Sequence, residues 1–170
     1  MGKALIVYYS LPDKKKTSNE DKAATEFEKL FNEKNISTTI IALSTEKKLS
    51  LGDQFKKEKE LTINQKIPDL TEFDYVFIGS PVVGSLTSAP LVNVFIRSIQ
   101  KVTQNQAKPI FALFVTGIIS GFALKKMQSL LSMKGIKPTQ TEAFTSMFEF
   151  DSKKIAEIKK FFDKVMNENK

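Results

Sequence analysis

Apolar segments of two kinds alternate along this sequence. Residues 4–9 form a short run rich in β-branched side chains, which is typical of a buried strand, whereas Ala23, Phe27, Leu30 and Phe31 recur at helical spacing. The alternation continues to the end of the chain. Because parallel strands are joined by crossover connections that usually contain a helix, the pattern predicts a mainly parallel sheet with helices on both faces.

Five strands and about five helices are predicted, which together fit one three-layer α/β domain over residues 1–170. The predicted strands are residues 4–9, 36–43, 75–78, 110–115 and 139–150. The predicted helices cover about residues 18–34, a short polar segment at 54–61, and segments at 91–102, 123–131 and 155–165.

The chain contains neither cysteine nor histidine. This composition excludes disulfides, thiolate nucleophiles, zinc sites of the usual nitrogen and sulfur type, and hydroxyl nucleophiles activated by imidazole. No Asp-rich calcium loop is present either, so we expect no metal site. Any catalysis would therefore depend on a bound cofactor.

The formal net charge is +7, with 26 Lys and Arg against 19 Asp and Glu. Basic clusters can bind nucleic acid, but the lysine clusters here are short and mostly stand beside acidic residues, which favours a solvated surface and predicts no nucleic-acid partner. No apolar run is long enough to cross a bilayer, and residues 4–9 are too short for the core of a signal peptide. We expect a cytoplasmic protein without membrane insertion.

The third predicted strand is followed by "GSPVVGSLTSAP", residues 79–90. We expect the chain to leave the sheet here, with Gly79 and Gly84 permitting close backbone approach and Pro81 and Pro90 stiffening a loop. In a five-stranded sheet of order 2-1-3-4-5, ligands bind between strands one and three, beyond their carboxyl ends. The segment is either part of such a site or only a long connection to the next helix.

Three segments resemble the flavin-contacting loops and flanking elements of the flavodoxin-like family. They are "KALIVYYS", "FDYVFIGSPVVGSLTSAPLVNVFI" and "PIFALFVTGIISGFALKKMQSLLSMKGIK". The resemblance extends over essentially the whole chain. It implies a three-layer flavodoxin-like fold with a five-stranded parallel sheet of order 2-1-3-4-5, and flavin mononucleotide (FMN) as cofactor.

The resemblance places the FMN phosphate at the first loop, and "TSNE", residues 17–20, matches the phosphate-binding core of the family. The implied phosphate contacts are Ser10, Thr17, Ser18 and Asn19. The sequence departs from the family pattern in two places, because Ser18 replaces a glycine and Glu20 replaces a threonine. Glu20 thus brings negative charge toward the phosphate, while Lys14 to Lys16 either contribute positive charge or form a solvated turn.

The resemblance places the flavin ring at the second and third loops. Val82 and Val83 stand where many family members have tyrosine or tryptophan, so strong stacking is not expected from this loop. Ile118 and Ile119 could instead form an apolar wall. The implied ring contacts are Ser80, Pro81, Val82, Val83, Gly84, Thr116, Gly117, Ile118 and Gly121.

The favoured hypothesis is an FMN-binding redox protein, either an electron carrier or a small flavin-dependent reductase, with the carrier favoured over a stand-alone enzyme. The positive net charge predicts an acidic redox partner protein. The alternative is a flavin-free module of the same fold that serves as a binding or scaffold protein, because a fold alone does not fix a function.

Overall fold

A parallel sheet forms the centre of the computed structural model, which describes residues 2–11, 17–45, 58–100 and 109–168. Its strands are Lys3–Tyr8 (β1), Ser37–Ala42 (β2), Tyr75–Val83 (β3), Thr87–Ser88 (β4), Ile110–Gly117 (β5) and Gln140–Thr145 (β6). The order is β2-β1-β3-β5-β6, all parallel, and the short β4 pairs antiparallel with β3. The predicted five-stranded parallel sheet of order 2-1-3-4-5 is therefore confirmed, with β4 as an addition.

Helices cover both faces of this sheet. They are Asn19–Glu33 (α1), Pro90–Ser98 (α2), Ala123–Ser132 (α3) and Ser152–Asn167 (α4), and single 3₁₀ turns occur at Glu58–Glu60 and Leu70–Glu72. The helix predicted at 18–34 is confirmed, and the one predicted at 91–102 ends earlier, at Ser98. The first half of the helix predicted at 54–61 lies outside the described residues, and its second half contains only the 3₁₀ turn at Glu58–Glu60.

Alternate residues of each strand point to opposite faces, which gives the protein two cores of different composition. The core under α1 and α4 is aromatic, with Phe27 packed against the rings of Phe77, Phe114, Phe144 and Phe161. The core under α2 and α3 is mainly aliphatic and includes Leu5, Val7, Ile78, Leu113 and Val115. Together the two cores fix the sheet between two helical layers.

Gly79 continues strand β3 instead of ending it. A Cβ atom on Gly79 would lie 2.1 Å from the ring of Phe114, so the glycine makes room for an aromatic side chain of the neighbouring strand β5. The expectation that the chain leaves the sheet after residue 78 is wrong, because Ser80 and Pro81 stay in register with β5. On its other side β3 pairs with β1, which ends at Tyr8 opposite Gly79. Pro81 lies beyond this last pair, so its lack of an N–H breaks no hydrogen bond between β3 and β1.

Strand β6 is shorter than predicted, since it ends at Thr145 and residues 146–151 form a loop before α4. Its neighbour β5 ends at Gly117, whose carbonyl accepts a hydrogen bond from Ser146 N–H at 2.9 Å. Beyond that point no adjacent strand remains to pair with. The prediction of a strand through residue 150 is therefore wrong at its carboxyl end.

The contact between Gly79 and Phe114 can be tested by crowding it. We expect Gly79→Ala to lower the free energy of unfolding by about 1–3 kcal/mol or more, because the new methyl group overlaps a buried ring. Urea denaturation measures the effect. In the double variant Gly79→Ala/Phe114→Leu the two losses should be less than additive, since the smaller side chain relieves the overlap. Strict additivity would contradict the packing described here.

Candidate functional site

Four connections meet at the carboxyl edge of the sheet. They follow β1, β3, β5 and β6, and backbone hydrogen bonds join neighbouring ones. Phe122 N–H donates to the Leu86 carbonyl at 2.6 Å, which links the connection after β5 to the turn after β3. Three of the four are the loops that the sequence predicted to form the site, and the fourth, residues 146–151, was predicted as strand.

The connection after β1 closes on itself at the start of α1. Ser18 is the N-cap of α1, and its hydroxyl donates to the Asp21 carboxylate at 2.9 Å while accepting from Asp21 N–H at 3.0 Å and from the Ser10 hydroxyl at 2.8 Å. One donor and two acceptors are all that a hydroxyl offers. Ser10 and Ser18 are thus brought together, as predicted, but they bond to each other and to Asp21.

Two carboxylates occupy the first turn of α1. Glu20 is buried and accepts a hydrogen bond from the Thr116 hydroxyl of β5, while Asp21 accepts one from the Tyr8 phenol of β1 at 2.6 Å. Burial raises the pKa of Tyr8, and the hydrogen bond to Asp21 and the negative charges of Asp21 and Glu20 raise it further. Helix N–H dipoles favour negative charge at this position.

Asn19 joins α1 to the loop that follows β6. Its side-chain amide donates to the Phe148 carbonyl at 3.0 Å and accepts from Phe150 N–H at 2.9 Å. Lys22 and Glu149 add an ion pair at 2.8 Å between the same two segments. Thr17, the remaining residue predicted to contact phosphate, is exposed. The structure therefore gives Asn19 a positioning role within the edge.

The predicted ring contacts after β3 lie on a tight hairpin. Val82 and Val83 pair with β4, and the turn between the strands contains Gly84 at φ +40° and Leu86 at φ +60°. The Ser80 hydroxyl is fully buried, accepts from Ala89 N–H at 2.8 Å and donates to the Pro81 carbonyl at 2.9 Å. Ser80 therefore holds the return of the hairpin toward α2.

The connection after β5 crosses directly over this hairpin. Gly117 lies against Val82, and Gly121 has φ +51° with its Cα so close to Leu86 that a Cβ atom would be 2.3 Å from the Leu86 carbonyl oxygen. Between the two glycines, the Ile118 and Ile119 side chains are 66% and 50% exposed. The two loops predicted to flank a ring are thus in contact, and the two isoleucines project outward.

Exposed apolar side chains are concentrated at this edge. Among the described residues seven large apolar side chains are exposed, and six of them follow β3, β5 or β6. We call these six the apolar rim: Leu86, Ile118, Ile119, Phe122, Met147 and Phe148. The seventh, Met133, lies after α3 at the opposite edge. Single exposed apolar residues are ordinary, but a group confined to one edge makes that edge a candidate binding surface.

Four members of the apolar rim were missed by the sequence analysis. Leu86 stood inside a segment assigned to a loop, Phe122 lay just before the helix predicted at 123–131, and Met147 and Phe148 were assigned to a strand. One signal could have found the last two. Asp151 precedes the terminal helix as its N-cap, accepting from Lys154 N–H at 2.9 Å, and a capping residue there implies a preceding loop.

The two ends of the candidate site differ in their fit to FMN. A flat aromatic ring suits the apolar rim, since apolar and aromatic side chains line most sites for such ligands. The described residues at the start of α1 do not fit a phosphate dianion, because the hydroxyls of Ser10 and Ser18 are engaged and two carboxylates stand among them. Residues 12–16, with the three lysines, lie outside the described residues.

The rest of the described chain contains a further concave surface. A cavity of about 470 Å³ lies at the amino edge of the sheet and is lined by residues such as Ile67, Ile99 and Phe111. Within the described ranges no group of three acidic, histidine or cysteine side chains could hold a metal ion. None of the described helices is long and apolar enough to cross a membrane.

Solved structures with the same architecture are flavoproteins by name. A candidate flavoprotein from Bacteroides uniformis ATCC 8492 superposes with a TM-score of 0.65 at 20% identity, covering 93% of this chain and 98% of that one. The chain has a flavodoxin-like fold. Flavodoxin 1 from Bacillus cereus superposes with a TM-score of 0.60 at 12% identity, covering 98% of both chains. A Streptococcus pneumonia TIGR4 flavodoxin gives 0.64 at 10%, covering 98% and 99%.

No family model and no curated protein matches this sequence. The flavodoxin-like fold therefore rests on the superpositions and on the strand order. In such a sheet the order in which successive strands are added reverses between β1 and β3, and ligands bind beyond the carboxyl ends of the strands at that point. The apolar rim and the first turn of α1 both lie on that side, which defines the candidate site.

The tie between α1 and the loop after β6 can be tested at Asn19. We expect Asn19→Ala to lower the free energy of unfolding by about 1–3 kcal/mol, since the loop after β6 loses two hydrogen bonds, one to the Phe148 carbonyl and one from Phe150 N–H, at about 0.5–1.5 kcal/mol each. Asn32→Ala, an exposed position near the other end of the same helix, should change it by less than about 0.5 kcal/mol. Equal effects in urea denaturation would contradict the role given to Asn19.

The raised pKa of Tyr8 predicts a loss of stability at high pH. The unfolded chain releases this phenolic proton near the ordinary pKa of about 10, whereas the folded protein keeps it. The contribution is therefore complete below pH 10 and decreases as the pH rises above that value. Urea midpoints measured from pH 9 to 11 should fall less steeply for Tyr8→Phe than for the unmodified chain, and equal slopes would refute the assignment.

Proposed function

We propose that this protein binds a flavin at the carboxyl edge of its sheet and transfers electrons. The observation that carries the proposal is the concentration of exposed apolar side chains on the three connections after β3, β5 and β6. The names of the superposed structures and the resemblance of the loop sequences support the same ligand class. The resemblance implies FMN, so FMN is the first flavin to test.

A bound flavin supplies the one- and two-electron chemistry that this set of side chains lacks. The residues of the chain have other tasks. Ile118, Ile119 and Phe122 would cover the ring and exclude water, and the bond between Phe122 N–H and the Leu86 carbonyl fixes the two covering loops relative to each other. We favour an electron carrier over a stand-alone enzyme, because the apolar rim supplies side chains that could cover a ring but no acid or base of its own.

We propose an acidic redox protein as the partner. The net charge of +7 favours a partner of opposite sign, because complementary fields accelerate encounter. Lys125 and Lys126 stand at the start of α3, just after Phe122, so positive charge lies next to the apolar rim. An exchange that slows strongly with added salt would support this partner class.

A flavin-free binding module is the second candidate, and one observation favours it. The hydroxyls of Ser10 and Ser18 already have partners within the chain, which a scaffold protein would retain without a cofactor. The two candidates differ in one measurement. Only the first predicts that the purified protein binds a flavin and that binding depends on the apolar rim.

The test is a titration of FMN and of riboflavin with the apoprotein, followed by flavin fluorescence. We expect quenching on binding, and we expect Phe122→Ala to weaken binding by about 5- to 100-fold, because stacking on an aromatic side chain contributes about 1–3 kcal/mol. Met133→Ala is the matched control, since its side chain is as exposed as that of Phe122, at 62%, but lies at the opposite edge. No binding of either flavin, or equal loss in both variants, would refute the proposal.

A further inference from the structure

We infer that the site selects a flavin without a dianionic phosphate, so that riboflavin-class flavins bind at least as tightly as FMN. The inference rests on the proposed function and concerns the far end of the same site. It comes from the disagreement between the first turn of α1 and the phosphate that the loop resemblance implies.

Hydrogen-bond donors at the start of α1 are largely engaged within the chain. A phosphate at a helix N-terminus needs N–H or O–H groups directed at it. In this structure Ser18 N–H donates to the Asp21 carboxylate at 3.2 Å, the Ser18 hydroxyl donates to the same carboxylate at 2.9 Å, and the Ser10 hydroxyl donates to Ser18 at 2.8 Å. Asn19 uses its amide on the loop after β6. Three of the four predicted phosphate contacts, Ser10, Ser18 and Asn19, therefore already use these donors within the chain.

The first turn of α1 also carries negative charge. Glu20 and Asp21 place two carboxylates in the first helical turn, where a phosphate would otherwise benefit from the helix dipole. Glu20 is only 7% exposed, so water screens it poorly from a neighbouring anion. Its hydrogen bond from Thr116 and the bond from Tyr8 to Asp21 hold both carboxylates in place. A dianion at this position meets two fixed negative charges, whereas the hydroxyl of riboflavin meets none of that repulsion.

The carboxylates of Glu20 and Asp21 therefore have the structural role that a bound phosphate would otherwise have at this helix N-terminus. They satisfy Ser18, Tyr8 and Thr116, and they bring β1, α1 and β5 together without an added anion. A neutral ribityl end could still bond to the outer oxygens of this cluster. The selectivity thus comes from the same contacts that hold the edge together.

The experiment compares the dissociation constants of the full chain for FMN and riboflavin by fluorescence quenching and by thermal shift. The lysines at positions 14–16 are present in the full chain, so their effect is included in the measured ratio. We expect riboflavin to bind as tightly as FMN or more tightly. FMN binding more than threefold tighter than riboflavin would overturn the inference and leave the proposed function intact. Failure of both flavins to bind would overturn both.

Charge variants test the cause. In Glu20→Gln, which can still accept from Thr116, we expect FMN to bind at least tenfold more tightly than to the unmodified chain while riboflavin binding changes by less than threefold. Asp21→Asn should act in the same direction. Glu28→Gln removes the same charge two turns further along α1 and should leave the ratio unchanged. An unchanged ratio in both Glu20→Gln and Asp21→Asn would overturn the assignment to these carboxylates.

Discussion

The carboxyl edge depends on the hydrogen bonds of the first turn of α1. Asp21 binds Tyr8 of β1, Glu20 binds Thr116 of β5, and Asn19 binds the backbone of the loop after β6. A buried carboxylate is costly unless it is well solvated by the protein, and here hydroxyl donors and the N-terminal end of a helix provide that solvation. One turn of helix thus positions three of the segments that surround the candidate site.

This arrangement has different consequences at the two ends of the site. At the first turn of α1 the polar groups satisfy one another, and the local charge is negative. At the connections after β3, β5 and β6 the side chains are apolar and exposed, and the loops bond to each other through their backbones. The flavin proposed to bind at this edge would therefore be recognised by its flat apolar part more than by an anionic tail.

Much of the fold could be predicted because local patterns determine it. The apolar strands and the helical stripes predicted the parallel sheet, whereas the resemblance to the flavodoxin-like family implied its order and placed the candidate site at the carboxyl ends of β1, β3 and β5. The errors came from contacts distant in sequence. Gly79 lies inside β3, where the absence of a Cβ atom leaves room for the ring of Phe114 on β5. Phe148 and Phe150 alternate with polar residues as in a strand, but β6 ends at Thr145 and no described strand pairs with them. The partners of Ser18 and Glu20 also depend on the assembled edge, so their resemblance to a phosphate loop could not reveal them.

The apolar rim is the feature by which the carboxyl edge of the sheet differs from the opposite edge. Exposed side chains such as Phe148, at 79%, and Met147, at 74%, contribute nothing to the core and favour association with other surfaces. At the opposite edge of the sheet far less apolar surface is exposed. Among the described residues there, Met133 is the one large apolar side chain that is exposed. The unfavourable exposure of large apolar side chains is thus confined almost entirely to the carboxyl edge of the sheet. A flat ligand bound there would cover the surface that the fold leaves open, whereas a scaffold without a ligand would need a partner protein to do the same.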